Sequence, residues 1–243
     1  MRDDRKWIQD VQADVAAGDV EAFLRQALAR FGDRIALASS LGAEDQVLLH
    51  MLSTLTPAPR VFTLDTGRLP QETYDLMATT TAKYGVRFEM VFPEREDIER
   101  LVNAAGPNLF YDGIDQRRAC CRVRKVLPLT RKLGEFDAWI TGLRREQSPT
   151  RGTVARAEWD EGHGMVKLNP LIEWSRTEVW TYLRTHDVPY NRLHDRGYPS
   201  IGCAPCTRAV AEGEDERAGR WWWEQPEHKE CGLHICDGKV VRD

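Results

Sequence analysis

The sequence predicts an α/β protein whose mainly parallel sheet is flanked by helices. In roughly the first 150 residues, short apolar runs alternate with helical stretches of about ten to fifteen residues, a spacing typical of βαβ units. The length of 243 residues suits one large domain. A composition of 42% hydrophobic and 30% charged residues is that of a soluble globular protein.

Hydrophobic periodicity places the individual elements. Apolar residues at helical spacing predict a helix from about Gly18 to Phe31, with Asp19 as its N-cap. The candidate strands are Arg34–Ala38, Arg60–Leu64, Arg87–Phe92 and Phe136–Thr141. The helical stretches between and after them are Ala43–Leu55, Gln71–Tyr84, Glu94–Ala104 and Ala119–Leu133. Beyond about Gly152 we expect irregular, turn-rich structure with one helix over Ser175–Arg184.

Charge and hydropathy exclude several classes of protein. Lys and Arg number 34 and Asp and Glu number 38, and this net charge of −4 argues against a general nucleic-acid coat but allows a local basic pocket. No apolar run approaches the roughly 18 residues of a membrane-spanning helix. The segment Met1–Lys6 has no apolar region of the kind found in secretory signals. We therefore expect a cytoplasmic protein without membrane or nucleic-acid partners.

Small and basic residues follow three of the predicted strands. These are the places where open parallel sheets bind ligands. The turn Ser39–Asp45 leads into a helix, whose backbone N–H groups and dipole can hold an anion. The segment Asp65–Arg68 follows the second strand, and the fourth is followed by Gly142, Arg144, Arg145, Gln147 and Ser148. This pattern predicts a site for a phosphate- or sulfate-bearing nucleotide, although turns are rich in Ser, Gly and Arg in any case.

Four of the six cysteines form two pairs, Cys120-Cys121 and Cys203-x-x-Cys206. In a cytoplasmic chain, clustered cysteines more often bind metal or do redox chemistry than form a disulfide framework. Four thiolates complete one tetrahedral zinc site or one [4Fe–4S] cluster. Adjacent side chains on a helix diverge by about 100°, which favours the separate iron corners of a cluster. A zinc site and a thioredoxin-like dithiol at Cys203-x-x-Cys206 remain alternatives.

The surroundings of the first pair are strongly basic. Between Gln116 and Gly134 there are seven Lys and Arg residues and no acid. Lys125 follows Cys121 by four residues and shares its helix face. Cations stabilise thiolates and can offset the negative charge of a cluster. The alternative is a solvated basic helix face.

Cys231 stands apart in the segment Glu230–His234 near the end of the sequence. Neighbouring His and Lys side chains can favour its thiolate. A mobile tail would suit a nucleophile that reacts in one place and is then presented to a second protein. The alternative interpretation is that Cys231 is an inert thiol.

Taken together, these motifs resemble those of the thioredoxin-dependent assimilatory adenylyl-sulfate (APS) reductases of the APS/PAPS reductase family. The resemblance extends from about Phe31 to His234. It resides in Ser39–Gln46, Leu64–Gly67, Arg118–Val126, Gly142–Ser148, Lys167–Pro170, Ile201–Arg208 and Glu230–His234. It implies an adenine nucleotide α-hydrolase-like fold, in agreement with the strand and helix alternation.

The resemblance also implies a role for each matching residue. Cys231 corresponds to the nucleophile, with Lys125 and His234 completing the catalytic set. Cys120, Cys121, Cys203 and Cys206 correspond to the ligands of one [4Fe–4S] cluster per subunit. The implied substrate-binding residues are Ser39, Ser40, Gly42, Asp65, Thr66, Gly67, Arg144, Arg145, Lys167, Arg217 and Arg220.

The resemblance implies one domain in three parts and a two-step reaction. The expected parts are a nucleotide-binding core over 1–150, a cluster loop and closing segment over 151–220, and a mobile tail over 221–243. The Cys231 thiolate attacks the sulfur of APS and releases AMP, and thioredoxin then releases sulfite from the S-sulfocysteine. No fused thioredoxin-like domain is recognised, so we expect a separate reductant. Homo-oligomers are common in the family.

Other interpretations remain at this level. A PAPS reductase performs the same chemistry on a 3′-phosphorylated substrate, but typical members lack the four cluster cysteines. ATP-dependent adenylating enzymes of the same fold carry Ser-Gly-Gly-x-Asp-Ser at the first loop, from which Ser40–Asp45 departs. A zinc-stabilised nucleic-acid-binding module is disfavoured by the acidic net charge. Cys236 lies outside the family pattern, and a protective disulfide with Cys231 is one interpretation of it.

Overall fold

A six-stranded sheet lies at the centre of the protein, in the order β3-β2-β1-β4-β6-β5. The structure is a computed structural model that describes residues 4–16, 18–147 and 151–225. Five neighbouring strands run parallel, and the edge strand β5 is antiparallel to β6. The strands are β1 (Ile35–Ala38), β2 (Val61–Leu64), β3 (Phe88–Val91), β4 (Ala138–Ile140), β5 (Ala157–Asp160) and β6 (Met165–Leu168). The mainly parallel α/β class is confirmed.

The helices are α1 (Asp4–Asp14), α2 (Val20–Phe31), α3 (Ala43–Leu55), α4 (Gln71–Tyr84), α5 (Arg95–Ala105), α6 (Ile114–Cys121), α7 (Leu127–Leu133) and α8 (Arg176–Thr185). Asp19 caps α2 as predicted, because its side chain accepts a hydrogen bond from the Ala22 N–H at 2.9 Å. Ser175 and Glu178 form a reciprocal capping box at the start of α8. Among the described residues, no helix combines the length and apolar character needed to cross a bilayer.

Both faces of the sheet are buried, and side-chain alternation divides the core between them. In β1, Ile35 and Leu37 join a large cluster formed with α2, α3 and α8, whereas Ala36 points to the opposite side. There it meets a smaller cluster that includes Trp139 of β4 and Leu129 of α7. Burial on both faces explains why the central strands are apolar runs rather than alternating ones.

The elements differ from the sequence-based expectation in three places. The helix α1 lies outside the elements that the sequence predicts. The region after Gly152 is less irregular than expected, because β5 and β6 add two strands to the central sheet. The helix predicted over Ala119–Leu133 is not uniform, since a π-helical turn, Arg122–Val126, separates α6 from α7.

The direction in which successive strands are added across the sheet reverses between β1 and β4. The chain leaves β1 to form β2 and β3 on one side, and returns as β4 on the other side. The crevice at such a switch point, beyond the carboxyl ends of the two strands, is the usual ligand site of open α/β sheets. The functional site is therefore expected around the turns that follow β1 and β4.

Candidate functional site

A cavity of about 230 Å³ opens at this switch point. Its wall includes the turns that follow β1, β2 and β4. The segment Pro199–Cys203 closes another side, and Arg217, Arg220 and Trp221 complete the wall near the end of the described chain. A nucleotide-sized cleft therefore lies where the order of the strands predicts it.

The turn after β1 is held by a carboxylate of its own. The Oδ2 atom of Asp45 accepts hydrogen bonds from the Ser40 N–H at 2.6 Å, the Ser40 hydroxyl at 2.7 Å and the Gly42 N–H at 3.3 Å. Burial raises the pKa of Asp45 to about 6, although these hydrogen bonds oppose the shift. In the structure, the Ser40 and Gly42 donors of this turn are bound to the carboxylate of Asp45, an anion of the protein. The prediction that the turn holds an anion of the ligand stays a prediction.

Polar and charged side chains of the turns after β2 and β4 also have partners within the protein. Asp65 accepts from the Gly67 N–H at 2.8 Å and from the Tyr74 hydroxyl at 2.9 Å. The guanidinium of Arg144 is buried and forms an ion pair with Glu44 at 2.7 Å, beside a second carboxylate on Glu216. The side of the cavity formed by the turns after β1 and β4 therefore carries carboxylates that bind donors and cations of the protein itself.

Cations line the cavity elsewhere. Lys125, Cys203 and Trp221 line both this cavity and the small cavity around the cysteines. Arg220 lines the main cavity. The Arg220 guanidinium lies 4.7 Å from the centre of the Trp221 ring and donates to Ser200 Oγ at 3.3 Å. Arg217 lines the same cavity. The side of the cavity nearest the cysteines is therefore electropositive.

The four paired cysteines come together in the fold. Cys120, Cys121, Cys203 and Cys206 are free thiols, each 7–8% exposed, in one buried cluster with Leu109, Phe110 and Trp221. All four line a cavity of about 20 Å³. Among the described residues, no three Cys, His, Asp or Glu side chains converge in the way that ligands of a single metal ion would. The structure thus confirms that the two pairs meet.

The thiols differ in their surroundings. Burial raises the pKa of Cys206 to about 12, and burial also raises the pKa of Cys120. Burial acts on Cys203 as well, but the Lys125 ammonium, a hydrogen bond with Thr66 and two guanidinium groups together lower its pKa below the ordinary value. The Cys203 Sγ atom lies 3.2 Å from Thr66 Oγ1. Of Cys120, Cys203 and Cys206, Cys203 is thus the one whose pKa is lowered.

The π-helical turn presents two cations towards the cysteines. Arg124 is buried, donates to the Thr66 carbonyl at 2.6 Å and interacts with Cys120. Lys125 acts electrostatically on Cys203 and Cys206 across the small cavity. A π-turn adds a residue to one helical turn and so changes which side chains share a face. Cations from one helix thereby act on cysteines of both pairs.

The predicted substrate-binding residues fall into two groups. Ser39, Ser40, Gly42, Thr66, Arg217 and Arg220 line the main cavity, and so does the predicted catalytic residue Lys125. Asp65, Gly67, Arg144, Arg145 and Lys167 are not among its lining residues. Arg145 pairs with Glu173 at 2.5 Å on the surface, and the Lys167 ammonium pairs with Glu158 at 2.9 Å. For this second group the structure shows ion pairs or structural hydrogen bonds within the protein.

Several predictions concern residues outside the described ranges. These are Cys231 and His234 of the catalytic set, Cys236, and Ser148 in the loop after β4. Their roles stay predictions.

Sequence reasoning missed other residues of the site. Arg151 is 5% exposed and lines the cavity, but it sits in a loop without a pattern that could have identified it. Arg124 follows Cys120 by four residues, so the spacing argument used for Lys125 could have found it. Asp45 could also have been found, because a side-chain acceptor three residues after the N-cap, here Gly42, commonly accepts a hydrogen bond from the N-cap N–H.

Comparison with known proteins gives consistent relatives. Residues 34–209 match the family described as "Phosphoadenosine phosphosulfate reductase domain". A protein named adenosine 5′-phosphosulfate reductase from Allochromatium vinosum is 55% identical over 202 residues, which cover 83% of this chain and 79% of that protein. The protein of the same name from Burkholderia cepacia is 49% identical over 203 residues, covering 84% and 81% of the two chains.

Solved structures show the same fold. Phosphoadenylyl-sulfate reductase from Candida auris, solved as a phosphate complex, superimposes with a TM-score of 0.69 at 27% identity, covering 86% of this chain and 98% of that one. FMN adenylyltransferase from Candida glabrata, solved with ATP, gives 0.57 at 14% identity, covering 93% and 75%. At that identity the second comparison carries the fold alone, which is the adenine nucleotide α-hydrolase-like architecture expected from the sequence.

Proposed function

Because the chain belongs to the phosphoadenosine phosphosulfate reductase domain family, we propose that it reduces adenylyl sulfate (APS) to sulfite and AMP in sulfate assimilation. The relatives that share about half of its residues are named for this reaction. The observation that carries the proposal is the meeting of four buried cysteines with the cationic side of a nucleotide-sized cavity. The enzyme is accordingly an oxidoreductase that acts on a sulfur group.

The cavity supports one orientation of the substrate. The phosphosulfate lies against Lys125 and Arg220, because the β1 and β4 side already carries the carboxylates of Glu44 and Asp45. Cations at this position screen the negative charges of a thiolate and a dianionic substrate as they approach. Arg217 lines the same cavity and adds to this field.

The nucleophile is Cys231, assigned through the resemblance of Glu230–His234 to the family motif. Its thiolate attacks the sulfate sulfur of APS; a sulfur–sulfur bond forms, and the bond to the phosphate oxygen breaks with its electron pair on AMP. The S-sulfocysteine that results is then attacked at Cys231 Sγ by a thioredoxin thiolate, which expels sulfite. The second thioredoxin thiol resolves the mixed disulfide, so that the dithiol supplies both electrons. His234 lies close enough in sequence to favour the Cys231 thiolate.

The cysteine cluster fits a [4Fe–4S] group. Four buried thiols from two chain segments supply the required donor set, and Arg124, Lys125 and Arg220 supply compensating positive charge. When bound, such a group adds a fixed, partly negative centre that organises the cationic side of the cavity. Cys120, Cys121, Cys203 and Cys206 would hold it, and Lys125 lines both the small cavity around these cysteines and the main cavity. The four free thiols also suit the reducing cytoplasm, where thioredoxin is available.

The covalent step can be tested without thioredoxin. Anaerobically purified protein is incubated with APS, and intact and peptide masses are compared with those of the Cys231→Ser and Cys236→Ser variants. We expect one added sulfonate on Cys231 in the wild type and in Cys236→Ser, and none in Cys231→Ser. A sulfonate on another cysteine would contradict the assignment of the nucleophile.

Iron analysis tests the cofactor separately. Cys203→Ala is expected to lose iron and the visible absorption of an iron–sulfur cluster, whereas Cys231→Ser retains both. Zinc in place of iron in the wild type, or full iron content in Cys203→Ala, would contradict the cluster assignment.

A further inference from the structure

Three hydrogen-bond donors converge on one oxygen in the turn that follows β1. The Ser40 N–H, the Ser40 hydroxyl and the Gly42 N–H all point to a single atom, Asp45 Oδ2, at 2.6–3.3 Å. Leu41 between them has a left-handed backbone with φ of 59°. The turn lies at the start of α3, where the helix dipole also favours negative charge. Such convergence of donors is the arrangement that elsewhere binds a phosphate oxygen.

The carboxylate of Asp45 fills this arrangement completely. Asp45 is 5% exposed and lines the main cavity, so the turn faces the space in which a nucleotide would lie. The neighbouring turn after β4 closes against it, since a Cβ atom on Gly142 would overlap Asp45 Oδ1 and stand 3.1 Å from the Asp45 nitrogen. With the side chain in place, these three donors are bound to an anion of the protein.

We propose that Asp45 is a specificity-determining residue whose carboxylate takes the place of a ligand phosphate at the turn after β1. The cavity then accepts a nucleotide whose anionic group faces Lys125 and Arg220, and it rejects nucleoside triphosphates. Glu44 lies beside the same turn, and its charge is compensated by the ion pair with Arg144 at 2.7 Å. Only the identity of the accepted nucleotide rests on the proposed function.

The test compares the binding of AMP and ATP by isothermal titration calorimetry. Neither measurement requires reductase activity, so a failure of this proposal is distinguishable from a failure of the proposed function. The wild type is expected to bind ATP more weakly than AMP. In Asp45→Ala, which empties the turn, the affinity for ATP relative to AMP is expected to rise at least tenfold. Asp45→Asn, which removes the charge but still fills the space, is expected to show a smaller rise.

Glu44→Gln is the matched control, because it removes the same charge from the same cavity but leaves the donors of the turn bound to Asp45. Its ATP-to-AMP ratio is expected to change less than that of Asp45→Ala. Three results would each overturn the proposal: wild-type protein that binds ATP as tightly as AMP, equal changes in Asp45→Ala and Glu44→Gln, or loss of AMP binding in both Asp45 variants.

Discussion

The guanidinium of Arg117 and the carboxylate of Glu224 form a two-pronged ion pair inside the protein. Nε donates to Oε1 at 2.9 Å and Nη2 to Oε2 at 2.7 Å, and the two side chains are 0% and 3% exposed. Arg117 also lies 4.8 Å from the centre of the Trp221 ring and interacts with Cys121. One buried pair thus joins the cysteine-bearing helix α6 to the end of the described chain.

Glu224→Gln tests the energetic weight of this pair. Removing one charge of a buried pair leaves the other without compensation, so we expect a loss of about 3–5 kcal/mol in the free energy of unfolding. Urea denaturation at neutral pH measures it. Asp137→Asn breaks the exposed pair between Arg34 and Asp137 and serves as the control, for which about 1 kcal/mol or less is expected. Equal losses in the two variants would contradict the structural role of Glu224.

Ionised Asp45 is expected to destabilise the protein at neutral pH. Burial raises its pKa from 3.8 to about 6, so the folded state binds the proton more tightly than the unfolded state does. This contribution is absent below about pH 4 and appears as the pH rises through 4 to 6. The free energy of unfolding of Asp45→Asn relative to wild type should therefore increase by up to about 3 kcal/mol between pH 4 and pH 7. A difference independent of pH would show that Asp45 titrates at its ordinary pKa.

Gly142 is expected to tolerate no side chain. A Cβ atom there would overlap Asp45 Oδ1 and lie 3.0 Å from Glu44 Cβ, and both belong to the start of a buried helix. Gly142→Ala should cost about 1–3 kcal/mol and weaken AMP binding. Gly18→Ala, at a position where a Cβ meets nothing within 4 Å, is the control. Thermal melts and AMP titrations of both variants would reveal the difference, and similar behaviour would contradict the packing described here.

Arg151 and Arg145 provide a test of structure against sequence pattern. The sequence resemblance assigns Arg145 to the substrate, yet it pairs with Glu173 at the surface, while Arg151 lines the cavity. Arg151→Ala should raise the KM for APS at least tenfold, since a charge-assisted contact contributes about 1.5–3 kcal/mol. Arg145→Ala should change it less than twofold. The opposite order of effects would favour the sequence-based assignment.

The parts of the fold that the sequence predicts are those fixed by local pattern. Apolar runs identified β1 to β4, and helical spacing identified α2, α3 and α4 with their boundaries nearly correct. The strand β6 is just as buried, but its short run Met165–Leu168 contains Lys167, whose charge is offset by Glu158 from the neighbouring strand. Such compensation depends on pairing between strands, and no local pattern reveals it.

The same distinction applies to the site. The spacing of the cysteines predicted that the two pairs would meet, because four clustered thiols are typical of one metal or iron–sulfur site. The hydrogen bonds of Asp45 are local, because Ser40 and Gly42 lie five and three residues before it, and a helix-capping pattern could have predicted them. The ion pairs of Arg144, Arg145 and Lys167 join different elements of the fold and are tertiary. Their positive charges indicated an anionic ligand, whereas in the structure each of them pairs with a carboxylate of the protein.

Reduction of adenylyl sulfate by this protein can be measured as thioredoxin-dependent release of sulfite from anaerobically purified protein, given APS and PAPS in parallel. We expect sulfite from APS, a strong preference for APS over PAPS, and no turnover by Cys231→Ser. A preference for PAPS would contradict the substrate assignment while retaining the mechanism. Absence of sulfite with both nucleotides, or undiminished turnover by Cys231→Ser, would contradict the account itself.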